Sequence, residues 1–175
     1  MVDRVALPGS GGWIPRVRER AHENMRRHES CTQSILASFM EELGIRDPLV
    51  IRSAGALHGG LVSSYTCGVH IAGAMVLGLL MGREELEQGS DGLFPVVFPA
   101  QELMGRLTRK LGSHSCRELT GVDFTDLNQA IRYLASSERE KCLERVADGA
   151  EEIGLFLKEL EERGELFRVG GAKSS

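Results

Sequence analysis

The apolar stretch TCGVHIAGAMVLGLL, residues 66–80, is the part of the sequence that decides the fold. It is apolar nearly all round, so it predicts a helix buried at the centre of the protein. The longest apolar run, residues 69–82, has 14 residues, which is too few for a membrane span of about 20 residues. Gly68, Ala72 and Gly73 allow another backbone to approach this helix closely.

The sequence on either side predicts further helices that pack around the central one. Apolar residues recur at helical spacing from Ile14 to Met25, over residues 30–43, and from Cys142 to Leu160. The full set of expected flanking helices covers a segment from near Pro15 and residues 30–43, 47–57, 100–111 and 137–167, with a short turn over 115–121 and a helix opening at Asp126. Residues 82–99 contain Pro95 and Pro99 and predict an irregular connection.

No segment alternates between apolar and polar residues at the two-residue period of a strand. We therefore expect an all-α fold, a single-domain helical bundle around the central apolar helix. Residues 1–12 are expected to be a flexible N-terminal lead-in, residues 13–169 the helical domain, and residues 170–175 a C-terminal tail.

Composition argues against several functional classes. The 175 residues, 42% of them hydrophobic, suffice for one soluble domain with a core. A net charge of −4 and an aromatic content of 5% give no basis for binding nucleic acid or an anionic membrane surface. The N-terminus lacks the apolar segment of a secretory signal, so we expect a cytoplasmic protein. The arginines of the first helix are expected to form a solvated face; they are Arg16, Arg20, Arg26 and Arg27.

The four cysteines, Cys31, Cys67, Cys116 and Cys142, are the candidate functional residues, and the first three directly follow a Ser or Thr. Ser30 with Gln33, and Ser115 with Glu118, have the spacing of a capping box, which places the cysteine at the first helical position. The free N–H groups and the positive end of the helix dipole favour a thiolate there.

The spacing of the cysteines leaves their chemistry open. No Cys-x-x-Cys pair is present, so the common zinc-finger, thioredoxin and ferredoxin spacings are absent. In a reducing cytosol, a shared metal or cluster site, scattered buried cysteines and reactive thiols are all compatible with this pattern. His70, three residues after Cys67, is favoured as a core histidine over a ligand or proton donor.

Several strings around the cysteines resemble the redox-active family named for its C_GCAxxG_C_C pattern. Residues 30–36 (SCTQSIL) with 41–44 (EELG) are similar to its opening, and Gly59-Gly60 with residues 65–68 (YTCG) and 74–79 (AMVLGL) to its second block. Residues 116–121 (CRELTG) are similar to the third block, and Cys142 supplies the fourth cysteine. The chain departs from the pattern at Thr66, Val69 and Ala72, but it keeps every cysteine.

The resemblance implies an iron–sulfur redox protein in which Cys31, Cys67, Cys116 and Cys142 bind one cluster, [2Fe–2S] or [4Fe–4S], for electron transfer with a partner protein. A thiol–disulfide oxidoreductase that uses two of the cysteines, and a structural zinc site, are the alternatives. We also expect a homodimer, because symmetric dimers are the commonest soluble oligomers.

Overall fold

The computed structural model describes residues 7–9 and 12–166, and within these ranges the chain is helical with no strand. The helices are α1 (Trp13–His28), α2 (Cys31–Glu42), α3 (Pro48–Ser53), α4 (Gly68–Met81), α5 (Gly89–Leu111), α6 (Cys116–Thr120), α7 (Leu127–Leu134) and α8 (Arg139–Glu162). The expected all-α fold is confirmed. Leu7 packs into the core, whereas the expected tail over residues 170–175 lies outside the described residues.

Five long helices form the bundle: α8 packs against α1, α5, α4 and α2, and α4 lies between α2 and α5. The side chains of Val69, Val76 and Leu77 on α4 are buried, as the apolar run predicts. Ala74 and Gly78 on the same helix are exposed, so α4 is not buried all round and shares the central position with α8. Among the described residues, no helix is long and apolar enough to span a bilayer.

The irregular connection expected over residues 82–99 is confirmed for residues 82–88 and is wrong for residues 89–99. After a short 3-10 turn, Leu86–Gln88, the chain enters α5 at Gly89, and Pro95 and Pro99 lie inside that helix. Val96, Ala100, Leu103 and Leu107 continue one apolar stripe along it. Burial of that stripe against the core offsets the lost backbone hydrogen bonds that make proline unfavourable within a helix.

Other helix ends also differ from the sequence expectations. The helix expected over residues 47–57 begins as expected, because the Asp47 side chain caps its start by accepting from the Leu49 N–H. It ends earlier than expected, at Ser53. The last helix covers residues 139–162 rather than 137–167. The starts of α6 and α7 are confirmed by side-chain caps from Ser115 and Asp126.

The arginine face of α1 is neutralised within the fold. Arg16 and Arg20 both pair with Glu42 of α2, whose side chain is nearly buried. The two guanidinium groups hold the pKa of Glu42 below its usual value. Arg26 forms an ion pair with Glu23 on the same helix. Arg16 and Arg20 therefore join α1 to α2, and Arg26 is neutralised within α1.

A left-handed turn connects α3 to α4. Gly59, Gly60, Leu61 and Val62 all have positive φ, between 53° and 63°, and the Val62 N–H closes the turn on the His58 carbonyl at 2.8 Å. A left-handed conformation costs a residue with a side chain about 1–2 kcal/mol. This turn therefore stores strain at Leu61 and Val62.

Replacing Leu61 by Gly is expected to raise the free energy of unfolding by about 1 kcal/mol, because Gly adopts a positive φ without steric cost. Leu155 is a matched control, since both leucines are 42% exposed but Leu155 lies in the right-handed helix α8. Leu155→Gly is expected to lower the free energy of unfolding by about 1 kcal/mol. Chemical denaturation of both variants measures the two values, and changes of the same sign would contradict the strain.

Candidate functional site

All four cysteines line one cavity of about 480 Å³. Cys31 and Cys116 begin α2 and α6, Cys67 directly precedes α4, and Cys142 is the fourth residue of α8. Cys67 and Cys116 are buried, whereas Cys31 and Cys142 are half-buried. Residues up to 111 positions apart in the sequence thus meet at one place.

Two backbone hydrogen bonds hold the turns that carry Cys67 and Cys116 side by side. The Cys67 N–H donates to the His114 carbonyl at 2.8 Å, and the Cys116 N–H donates to the Tyr65 carbonyl at 2.6 Å. They flank an isolated antiparallel bridge between Thr66 and Ser115. These bonds fix the backbone from which both thiols project.

Glycines allow the other backbones to close on this pair. A Cβ at Gly68 would overlap Cys31 Sγ and lie 2.6 Å from Thr32 Oγ1, so only glycine lets α4 begin against the start of α2. A Cβ at Gly60, which also has a positive φ, would lie 2.7 Å from Cys116 Cβ. The buried Thr32 hydroxyl donates to the Leu57 carbonyl at 2.8 Å and further fixes α2.

The expectation that helix starts favour thiolates is wrong for three of the cysteines. Burial raises the pKa of Cys67 and of Cys116 to about 12, and the other cysteines add to the shift. Burial also raises the pKa of Cys31, although the backbone N–H groups of Gly59 and Thr32 act in the opposite direction. Desolvation outweighs the helix dipole here, because water is excluded from the sulfurs. Buried thiols of this kind are poor nucleophiles until a cation stabilises them.

Cys142 has polar partners that sequence reasoning missed. The Tyr133 hydroxyl donates to Cys142 Sγ at 2.9 Å, and Nη1 of Arg145 lies 3.8 Å from the same sulfur. Arg145 is three residues after Cys142, and on a helix that spacing places both on one face. The spacing could have indicated Arg145, whereas Tyr133 comes from another helix and carries no such signal.

The capping box expected at Ser30 is not formed. Gln33 instead donates to the Ile51 carbonyl at 2.9 Å, and the Ser30 side chain makes no capping bond. Ser30 lines the cysteine cavity, and its buried hydroxyl has no hydrogen-bond partner among the described residues. An unpaired buried hydroxyl costs about 1–3 kcal/mol. An unpaired donor at a residue of this lining fits an anionic group in a cavity that four cysteines also line.

Apolar side chains form most of the cavity wall and mouth; they include Met25, Leu119, Phe124, Leu127 and Leu134. The volume lies in the range of about 300–1,000 Å³ found for cofactor and ligand sites. Across the described part of the chain, no set of three or more His, Cys, Asp or Glu side chains is arranged to hold a single metal ion. The four cysteines therefore line a cavity and are not arranged around a single position that one metal ion would occupy.

His70 lies on α4 but does not line this cavity. Its Nε2 is 3.1 Å from the Thr108 hydroxyl, which itself donates to the Met104 carbonyl. The Thr108 oxygen therefore accepts from His70, and Nδ1 is buried with no partner in the part of the chain that the structure describes. This arrangement fits the core histidine that the sequence favoured.

The helical bundle and its shared cavity define a four-cysteine helical protein. The family model described as "Putative redox-active protein (C_GCAxxG_C_C)" matches residues 29–154, and the chain belongs to this family. The matched segment contains all four cysteines. No curated protein and no solved structure matches the chain significantly.

Gly68→Ala is expected to lower the free energy of unfolding by about 2 kcal/mol, because the added methyl group overlaps Cys31 at the tightest contact of the site. Gly78 on the same helix is the matched control, since a Cβ there meets nothing within 4 Å. Gly78→Ala is expected to raise the free energy by up to about 1 kcal/mol. Denaturant titration separates them, and equal effects would refute the close packing.

Stability is expected to fall as the pH drops from about 6.5 towards 4. Burial lowers the pKa of His70 to about 4, with a smaller effect from His114, against an ordinary value of 6.5. Between these values the unfolded chain binds more protons than the folded protein, so acid favours unfolding, by up to about 3 kcal/mol at the lower limit. Denaturation across this range should show a shallower slope for His70→Gln than for the wild type. Parallel slopes would contradict this assignment.

Proposed function

We propose that Cys31, Cys67, Cys116 and Cys142 bind one iron–sulfur cluster, [2Fe–2S] or [4Fe–4S], and that the protein serves electron transfer. The observation that carries the proposal is that all four thiols line one cavity. Soft thiolate ligands select iron–sulfur clusters and zinc. Membership of a redox-active family favours the cluster over the ion. When bound, a cluster supplies one-electron redox chemistry.

The residues around the thiols suit a negatively charged group. The backbone N–H groups that precede Ser34 at the start of α2 have no acceptor within the helix, because its first backbone bond runs from the Ser34 N–H to the Ser30 carbonyl. They are therefore free to point at a sulfur. The Ser30 hydroxyl is an additional unpaired donor, and Arg145 contributes a positive charge. The apolar wall excludes water, which limits hydrolytic loss and influences the reduction potential.

A thiol–disulfide oxidoreductase is the second candidate, favoured by the fixed juxtaposition of the Cys67 and Cys116 turns. Such an enzyme needs an activated thiol and a resolving thiol, but no metal. A structural zinc site is the third candidate and rests on the same four sulfurs. The three candidates differ in metal content and colour, so one preparation distinguishes them.

Anaerobic purification followed by iron, sulfide and zinc analysis tests the proposal. A brown protein with two or four iron atoms and matching sulfide per chain is the expected result. Stoichiometric zinc, or a colourless metal-free protein with active thiols, would replace the proposal with one of the other two candidates.

Cys67→Ala is expected to abolish cluster binding and to lower the melting temperature below that of the cluster-loaded wild type. Cys67 directly precedes the buried helix α4, and the gathered thiolates repel one another unless a cationic group offsets the cost. Ser63→Ala, a small replacement in the preceding turn outside the cavity lining, serves as the control. Melting curves are recorded before and after chelation under reducing conditions. A Cys67→Ala protein as stable as the wild type, with no chelator effect on either, would rule out a structural role for the cluster.

A further inference from the structure

Cys142 is the cysteine whose sulfur has two side-chain donors. The Tyr133 hydroxyl donates to it at 2.9 Å from α7, and the Arg145 guanidinium lies 3.8 Å away on α8. The other three cysteines lie at or beside helix starts, where backbone N–H groups are nearby donors, and the Thr32 and Thr120 hydroxyls act on Cys31 and Cys116. The cavity is therefore chemically asymmetric, with a phenol and a guanidinium on the Cys142 side.

Packing fixes the direction of the Tyr133 hydroxyl. The side chain is buried, with 8% of its surface exposed, and its ring meets Phe124 edge-on at a centroid distance of 5.7 Å. The Phe124 N–H in turn donates to the buried Ser64 hydroxyl at 2.7 Å. Tyr133 is thus held against Cys142 by a chain of contacts that leads back to the turn preceding Cys67.

Arg145 is half-buried and lines the cavity. Glu29, the acidic residue of the lining, pairs with Arg139 at 3.0 Å, whereas Arg145 forms no ion pair with any described carboxylate. His28 and His58 are the other basic side chains of the lining. A guanidinium directed at a sulfur, with no carboxylate to neutralise it, places a permanent positive charge beside Cys142.

We propose that Tyr133 and Arg145 are positioning residues that polarise the Cys142 sulfur and thereby raise the reduction potential of the bound cluster. This inference rests on the proposed function. One-electron reduction adds one negative charge to the cluster and its thiolates, with no bond formed or broken. Hydrogen bonds to a ligand sulfur and a nearby cation stabilise the more negative state, and so favour reduction.

Potentiometric titration with dithionite and redox mediators tests the inference on the cluster-loaded protein. Tyr133→Phe removes the hydroxyl and keeps the ring, and Arg145→Gln removes the charge. Both are expected to lower the midpoint potential while iron and sulfide content per chain stay at the wild-type value. Arg145→Lys, which keeps a positive charge, is expected to retain part of the wild-type potential.

Two controls match these variants. Tyr65→Phe changes the chain's other tyrosine, which is 67% exposed and outside the cavity lining. Arg132→Gln removes an exposed arginine of α7. Both are expected to keep the wild-type potential, so a shift confined to Tyr133→Phe and Arg145→Gln supports tuning through Cys142.

The remaining outcomes each decide against the inference. A cluster whose potential is the same in Tyr133→Phe, Arg145→Gln and the controls overturns the tuning role and leaves the proposed function intact. Loss of iron from both variants assigns them a purely structural role. A wild-type protein that binds no cluster overturns the proposed function and this inference together.

Discussion

The two backbone hydrogen bonds between residues 65–67 and 114–116 are the constraint on which the cysteine cavity depends. The described residues form no sheet, and these two bonds join the turn before α4 to the turn before α6. With Cys67 and Cys116 fixed in this way, the start of α2 can reach them because Gly68 has no Cβ. The packing of α8 against α1, α4 and α5 brings Cys142 to the cavity that the other three cysteines line.

The left-handed turn shows how strain is kept at this site. Leu61 and Val62 adopt a conformation that side chains disfavour, yet the turn brings Gly59 to Cys31 and Gly60 to Cys116. The buried Ser64 hydroxyl holds the turn in place, since it donates to the Val122 carbonyl at 2.9 Å and accepts from the Phe124 N–H. Strained backbone persists where surrounding contacts over-determine it, and such places cluster at functional sites.

Helix type, the buried stripes and the four cysteines could be predicted from the sequence, because helical periodicity and local caps such as Asp126 act over a few residues. The helical segment around Pro95 could not be predicted, since burial of the apolar stripe of α5 overrides the local cost of a proline within a helix. Ser30 looks like a cap, but Gln33 bonds to α3 instead. The thiolate expectation failed for the same reason: the helix dipole is a local effect, whereas desolvation depends on the whole packed structure.

The burial that defines the cavity also determines what can stabilise charge within it. Apolar walls raise the cost of a thiolate, so four of them can coexist only with positive charge and hydrogen-bond donors close by. Backbone donors at helix starts are supplied by the fold wherever a helix begins. Side-chain donors have to be supplied by particular residues, and here a phenol and a guanidinium meet at Cys142. The fold thus accounts for gathering the sulfurs, and Tyr133 and Arg145 distinguish one of them from the rest.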